Sequence, residues 1–190
     1  MTAPDDELIV PDAAAWRGWL DEHETQPDGV WLVLAKKGTT SPTTLGYAEA
    51  LDEALCSGWI DGPKRSRDEA TFLQKFTPRR ARSIWSARNV EHIARLNEEG
   101  RLRARGQHEV DRAQADGRWD RAYAGSASAE PPDALLRALD ATPGARAAFD
   151  ALSRAERYSI LHPLITAPTP ETFDARLRRT LDRLRVRSSG

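Results

Sequence analysis

The sequence predicts an α+β fold: a small, mainly antiparallel sheet packed with helices, followed by a helical C-terminal part. Two observations support this class. Short runs rich in aromatic and β-branched residues occur only in the first half of the chain, and such runs are typical of strands. Beyond them, apolar residues recur at helical spacing to the end of the chain.

The individual elements follow from these patterns and from flanking caps and breakers. In the first helix, Trp16, Trp19 and Leu20 stand at i, i+3 and i+4 behind Asp12, a candidate N-cap. Glycines or prolines follow most of the periodic segments. Predicted strands lie at 30–35, 59–61 and 71–76, the last two joined by an exposed connection at 63–69. Predicted helices lie at 13–24, 47–57, 83–99, 103–116, 132–141, 145–164 and 170–186.

A segment rich in Ala, Ser, Gly and Pro at 123–132 is the best candidate for a linker. We therefore expect an α+β domain at 1–122 and a helical region at 123–190 that packs on it. Acidic residues at the N-terminus lead into no apolar run of the length that a signal peptide or membrane span needs. This pattern predicts a cytoplasmic protein without membrane insertion.

Several classes of chemistry find no support in the sequence. Cys56 is the only cysteine, which excludes an intrachain disulfide and a cysteine-based zinc site. The chain has no P-loop, no dinucleotide-binding glycine pattern, no nucleophile elbow and no His-Glu-x-x-His motif. We expect no cofactor and no metal.

Charge is strongly separated along a chain whose net charge is only -1. Residues 1–62 contain 3 basic and 12 acidic residues, whereas residues 63–121 contain 15 basic and 9 acidic ones. The middle third is therefore where an acidic partner would be sought. Charges that pair within and between helices are the alternative interpretation.

The string Gly-Trp-Ile-Asp-Gly at 58–62 places an aromatic ring and a carboxylate on a strand between two glycines. Because side chains alternate along a strand, Trp59 and Asp61 should share one face while Ile60 faces the core. That arrangement would suit one wall of a pocket. Equally open is a core position for Trp59, with Asp61 capping a turn or pairing with an arginine.

The segment 76–86 is predicted to lead from a strand into a helix that begins at Ser83. Unpaired backbone N–H groups at a helix start, together with Arg79, Arg80 and Arg82, would attract a phosphate or carboxylate. Three solvated arginines in a turn are the alternative. Trp85 and Asn89, at i and i+4, would face the same space as Trp59. The predicted ligand-binding set is Trp59, Asp61, Lys64, Arg79, Arg80, Trp85 and Asn89.

Four strings occur together: Gly-Trp-Ile-Asp-Gly at 58–62, Phe-Thr-Pro-Arg at 76–79, Ser-x-Trp-Ser with a following Asn at 83–89, and Gly-Arg-Trp-Asp-x-Ala-Tyr at 117–123. In this combination the chain resembles the YdeI/OmpD-associated family of bacterial proteins, also described as bacteriocin-protection proteins. The resemblance implies an α+β fold with a helical C-terminal part. It also implies a role in tolerance of envelope stress or cationic antimicrobial peptides, with no catalytic residues to transfer.

One stretch departs from that family. Relatives carry a basic stretch ending in Pro-Glu-Thr-Arg, whereas this chain has His162 to Phe173, in which only the Pro-Glu-Thr helix start is kept. Any role that depends on the basic patch is therefore in doubt.

The leading hypothesis is a non-enzymatic binding protein for a small anionic or aromatic molecule, with an envelope-stress protein as a further partner. An enzyme that uses Asp61 as acid or base beside an arginine clamp is the first alternative. Nucleic-acid binding through the basic region from Arg79 to Arg105 is the second. A third alternative is metal delivery through Asp21, Glu22, His23 and Glu24. The other interpretation of these residues is a solvated acidic face of a helix.

Overall fold

The computed structural model describes residues 7–24 and 26–188. Within it the chain divides into two compact units. Unit 1 comprises the residues up to Ser83 together with Asn89–Asp120, and unit 2 comprises Ile84–Arg88 and the residues from Arg121 onward. Residues 1–6 lie outside the described residues. The expectation that the chain has no leader depends in part on them.

Unit 1 contains a four-stranded mixed sheet in the order β1-β2-β4-β3. Its strands are β1 (Glu7–Leu8), β2 (Val30–Ala35), β3 (Trp59–Ser66) and β4 (Thr71–Pro78). The strand pairs β2/β4 and β3/β4 are antiparallel, whereas β1 runs parallel to β2. A register shift between Asp61 and Lys64 marks a bulge in the edge strand β3.

The helices of the first part of the chain are α1 (Ala13–Glu22), α2 (Tyr47–Cys56), α3 (Ala87–Glu98) and α4 (Ala104–Ala115). Helix α1 begins as predicted, because Asp12 accepts the N–H of Ala15 at 2.9 Å. The indole of Trp16 is completely buried against Phe76 of β4, with ring centroids 5.6 Å apart. Thus α1 covers the sheet face that carries Phe76.

Unit 2 is built from helices α5 (Asp133–Asp140), α6 (Ala145–Asp150), α7 (Arg154–Ile165) and α8 (Pro170–Ser188). One apolar cluster joins all four, with Leu135, Phe149, Leu164 and Leu184 among its buried members. The segment Ile84–Arg88 is held by a parallel bridge between Ser86 and Tyr123. Unit 2 therefore has a core of its own.

The α+β class and the helical C-terminal part are confirmed, while several predicted boundaries are wrong. Strand β3 continues to Ser66, so most of the predicted connection at 63–69 is strand. The helix expected at 145–164 is two helices, since Ser153 and Glu156 form a capping box that starts a new one. Helix α3 begins at Ala87, four residues after the predicted Ser83. Among the described helices, none has both the length and the apolar run that a membrane span requires.

Candidate functional site

Trp59, the first residue of β3, is a core residue of unit 1. Its side chain is 0% exposed, and its ring meets those of Trp16 and Trp19 edge-on at 6.5 and 5.7 Å. The indole Nε1 is buried and has no hydrogen-bond partner within the described part of the chain. Of the two interpretations left open by the sequence, burial in the core is the observed one.

Asp61 lies on the same side of β3 as Trp59. It stands opposite the buried Phe76 in the β3/β4 register and accepts a hydrogen bond from Tyr47 Oη at 2.8 Å. The predicted orientation of Ile60 toward the core is wrong: the face with Trp59 and Asp61 packs on the helices, and Ile60 is half-buried on the other face. Alternation along a strand predicts which residues share a face, but it does not predict which face packs on the helices.

The turn after β4 separates the arginines that were expected to act together. Arg79 is 4% exposed, and its backbone N–H donates to Gly58 O at 3.0 Å, whereas Arg80 is exposed. Ser83 does not cap a helix: its Oγ accepts the N–H of Arg80 at 2.9 Å, and its carbonyl accepts from Arg118 at 2.7 Å. The predicted helix start beside Arg79 and Arg80 is therefore wrong.

The remaining predicted residues occupy different environments. Trp85 precedes α3, is 2% exposed, and belongs to unit 2, where its carbonyl accepts the N–H of Tyr123 at 3.0 Å. Asn89 is a buried residue of α3 within unit 1, so the two do not form an i, i+4 pair of one helix. Lys64 is exposed, with Nζ 4.4 Å from the Phe72 ring centroid. A ligand-binding role for this set stays a prediction.

Three arginines of the basic region from Arg79 to Arg105 form ion pairs with carboxylates of α2. Glu53 accepts from Arg101 at 2.8 Å and from Arg103 at 2.9 Å, and Asp52 accepts from Arg95 at 2.6 Å. These carboxylates offset much of the positive charge that nucleic acid would meet at this surface. Nucleic-acid binding stays a prediction that this arrangement does not favour.

Cys56, at the C-terminal end of α2, is buried beside this network. Burial, followed by the negative charge of Glu53, raises the pKa of the thiol from 9.0 to about 11. The thiol is therefore protonated at neutral pH, which is the opposite of what an activated nucleophile requires.

The acidic helix end proposed for metal delivery forms other contacts. His23 stacks on Trp19 with ring centroids 4.1 Å apart, and its Nδ1 lies 2.7 Å from the Trp19 carbonyl oxygen. Asp21 lies 3.3 Å from the guanidinium of Arg103. Within 7–24 and 26–188, no group of three or more His, Cys, Asp and Glu side chains is arranged to hold a metal ion.

Unit 2 contains a cleft of about 660 Å³ formed by the end of α7 and one side of α8, which we call the basic cleft. Three arginines from α8 and one histidine from α7 give it its chemistry. The lining residues are His162, Pro163, Thr166, Arg176, Arg179, Thr180, Asp182 and Arg183. The volume lies within the range of small-molecule sites.

Local sequence explains why the arginines reach the basic cleft. Residues 176, 179 and 183 stand at i, i+3 and i+7 of α8, on one side of the helix. The apolar residues Phe173, Leu177, Leu181 and Leu184 fill the side that packs into the core. Arg176 is anchored by a hydrogen bond from Nη1 to the carbonyl of Pro163. His162 packs edge-on against Tyr123 at 4.9 Å.

Sequence reasoning missed this cleft, although a signal for it was present. The apolar stripe of Phe173, Leu177, Leu181 and Leu184 predicts the last helix, and the arginines of that helix lie outside the stripe. Their spacing on one side indicates a basic face. That the face meets His162 depends on how α7 and α8 pack, which helical periodicity does not encode. The basic surface of this cleft is supplied by arginines of α8.

These features define an α+β protein with a helical C-terminal part and a candidate anion-binding cleft. Residues 8–109, more than half of the chain, match the family model described as Domain of unknown function (DUF8412). Residues 128–186 match the model described as Bacteriocin-protection, YdeI or OmpD-Associated. The chain therefore belongs to the DUF8412 family, and its C-terminal part matches the YdeI/OmpD-associated family model.

The family resemblance is confirmed for the C-terminal part, which contains α5 to α8 and every residue that lines the basic cleft. The four strings that suggested it, at 58–123, precede the matched segment 128–186. No curated protein and no solved structure matches the chain.

Proposed function

We propose that this YdeI/OmpD-associated protein is a non-enzymatic binding protein that takes up a small anionic molecule in the basic cleft. The observation that carries the proposal is the row of Arg176, Arg179 and Arg183 along one cleft of unit 2. Guanidinium groups bind phosphate and carboxylate through paired, charge-assisted hydrogen bonds.

The state of these arginines supports the proposal. Arg179 and Arg183 are exposed and form no ion pair with any side chain in the part of the chain that the structure describes. By contrast, Arg146 in the same unit pairs with Asp140 and Asp150 at 2.9 and 3.2 Å. The two cleft arginines thus present charge to an incoming anion without first breaking an internal contact.

The segment from Gly58 to Asn89 is less suited to the first encounter with a ligand. Trp59, Arg79, Trp85 and Asn89 are all buried. A ligand that contacted them would require the core around them to open, which costs packing energy. We therefore place the site in the basic cleft and keep a role for the earlier set as a separate prediction.

Calorimetric titration with pyrophosphate tests the proposed function. We expect saturable binding that weakens at least about 10-fold in the Arg179→Ala, Arg183→Ala double variant, because two charge-assisted contacts are lost. Arg178→Ala is the matched control: it removes the same charge from an exposed position on α8 outside the cleft. Equal binding by wild type and the double variant would refute this site.

We further propose that binding in the cleft contributes to tolerance of bacteriocins or cationic antimicrobial peptides. Support comes from the family description of residues 128–186. In a host strain lacking the gene, wild type and Arg178→Ala should restore survival under peptide challenge, and the double variant should not. Full restoration by the double variant would separate any tolerance role from the cleft.

A further inference from the structure

The three arginines of the basic cleft are spread along α8 instead of converging on one point. An α-helix rises about 1.5 Å per residue, so Arg176 and Arg179 are about 4.5 Å apart along the axis, and Arg179 and Arg183 about 6 Å. Over the full row the separation is about 10 Å. One phosphate or carboxylate group can pair with two neighbouring members of such a row, but not with both ends in the same geometry.

The net charge and the volume of the basic cleft both bear on the kind of ligand that it can hold. Among the lining residues that the structure describes, Asp182 is the only carboxylate, against three guanidinium groups. Two anionic groups would balance that excess. A single inorganic anion would also leave most of the 660 Å³ cleft to water. Sites of this volume hold organic molecules of cofactor or metabolite size.

The remaining lining residues suit the uncharged part of such a molecule. Pro163 and the ring of His162 lie at the end of α7 and line the cleft together with Thr166 and Thr180. The ring of His162 is held by contacts with Tyr123 at 4.9 Å and Tyr158 at 5.6 Å. Asp182 can accept a hydrogen bond from a ligand hydroxyl.

Building on the proposed function, we infer that the ligand is an organic molecule with two separate anionic groups. One group pairs with Arg176 and Arg179, and the other pairs with Arg183. The body of the molecule lies against Pro163 and His162. Phosphates and carboxylates share the chemistry that this row recognises.

A matched pair of ligands isolates the second anionic group. Fructose 6-phosphate and fructose 1,6-bisphosphate share a scaffold and differ by one phosphate. We expect the bisphosphate to bind at least about 10-fold more tightly to wild type, since a charge-assisted contact is gained. In Arg183→Ala this advantage should disappear, whereas Arg178→Ala should retain it. Citrate measured beside the bisphosphate distinguishes a carboxylate ligand from a phosphate ligand by which of them binds more tightly.

The possible outcomes distinguish the proposed anion-binding function from the inference that the ligand has two anionic groups. Equal affinity for the mono- and bisphosphate, with both weakened in Arg179→Ala, would overturn the two-group ligand and leave the anion-binding function standing. An undiminished bisphosphate advantage in Arg183→Ala would also overturn the assignment of the second group. Failure of every anion to bind, or binding that the Arg179→Ala, Arg183→Ala double variant retains, would overturn the proposed function itself. Unchanged circular dichroism of each variant confirms that the fold is kept.

Discussion

At the scale of single residues, Cys56 shows how burial sets chemistry. Its pKa of about 11 means that the neutral thiol stabilises the folded state below pH 9. This contribution is lost as the pH rises from about 9 to about 11, because the unfolded thiol ionises first. High pH should therefore lower stability through this residue.

We expect Cys56 to react with a disulfide reagent such as DTNB at pH 8 far more slowly in the native protein than in urea. A decrease of at least about 100-fold follows from the raised pKa together with the buried sulfur. Stopped-flow absorbance measures both rates. Similar rates in the two conditions would show that the thiol is accessible and ionised in the native state.

Residue identity alone could not have revealed these environments. The sequence is compatible with a pocket position and with a core position for Trp59, and its complete burial depends on contacts with Trp16 and Trp19 of α1. Asp61 is fixed by a hydroxyl from Tyr47, 14 positions earlier in the chain. Both partners come from elements that are distant in sequence, so local pattern carries little information about them.

At the scale of elements, Gly106 allows α4 to lie close to the end of α2. A Cβ atom added at Gly106 would lie 2.2 Å from the carbonyl oxygen of Cys56, which is backbone and cannot move aside cheaply. Within 7–24 and 26–188, no atom lies within 4 Å of a Cβ atom added at Gly18 in α1. Alanine substitutions at these two helical glycines are therefore expected to change the stability of the protein in opposite directions.

We expect Gly106→Ala to destabilise the protein by about 2–3 kcal/mol, because α4 must shift away from α2. Gly18→Ala should stabilise it by about 0.5–1 kcal/mol, because alanine loses less conformational entropy in a helix. Urea unfolding monitored by tryptophan fluorescence measures both. A neutral Gly106→Ala would indicate that α4 is not held this close to α2.

Which segments are helical was largely predictable, whereas several ends were not. The stripe of Phe173, Leu177, Leu181 and Leu184 predicted α8 because it is long and regular. The start of α3 was misplaced because Ser83 has the chemistry of an N-cap but closes a turn with Arg80. Competing local hydrogen bonds of this kind are decided by the rest of the fold.

At the scale of the whole molecule, we place the proposed anion site in unit 2, although charge segregation along the chain predicts one in the middle third. Some of the arginines there pair with acidic residues of the first third, as Arg101 and Arg103 do with Glu53. Arg179 and Arg183 lie in a region without a conspicuous net charge, and their positive charges remain available to a ligand. Ion pairing depends on the folded structure, so counting charges along the sequence does not predict which arginines remain available.

Amide chemical-shift mapping by NMR during a pyrophosphate titration tests the central claim most directly. The same experiment reports on the basic cleft and on the ligand-binding set predicted from the sequence, which includes Arg79. We expect saturable shifts centred on the cleft-lining parts of α7 and α8, including His162 and Arg179, and no comparable shifts at Trp59 or Arg79. Shifts centred on Trp59, Arg79 and Asn89, with α8 unaffected, would contradict the assignment of the site to the cleft.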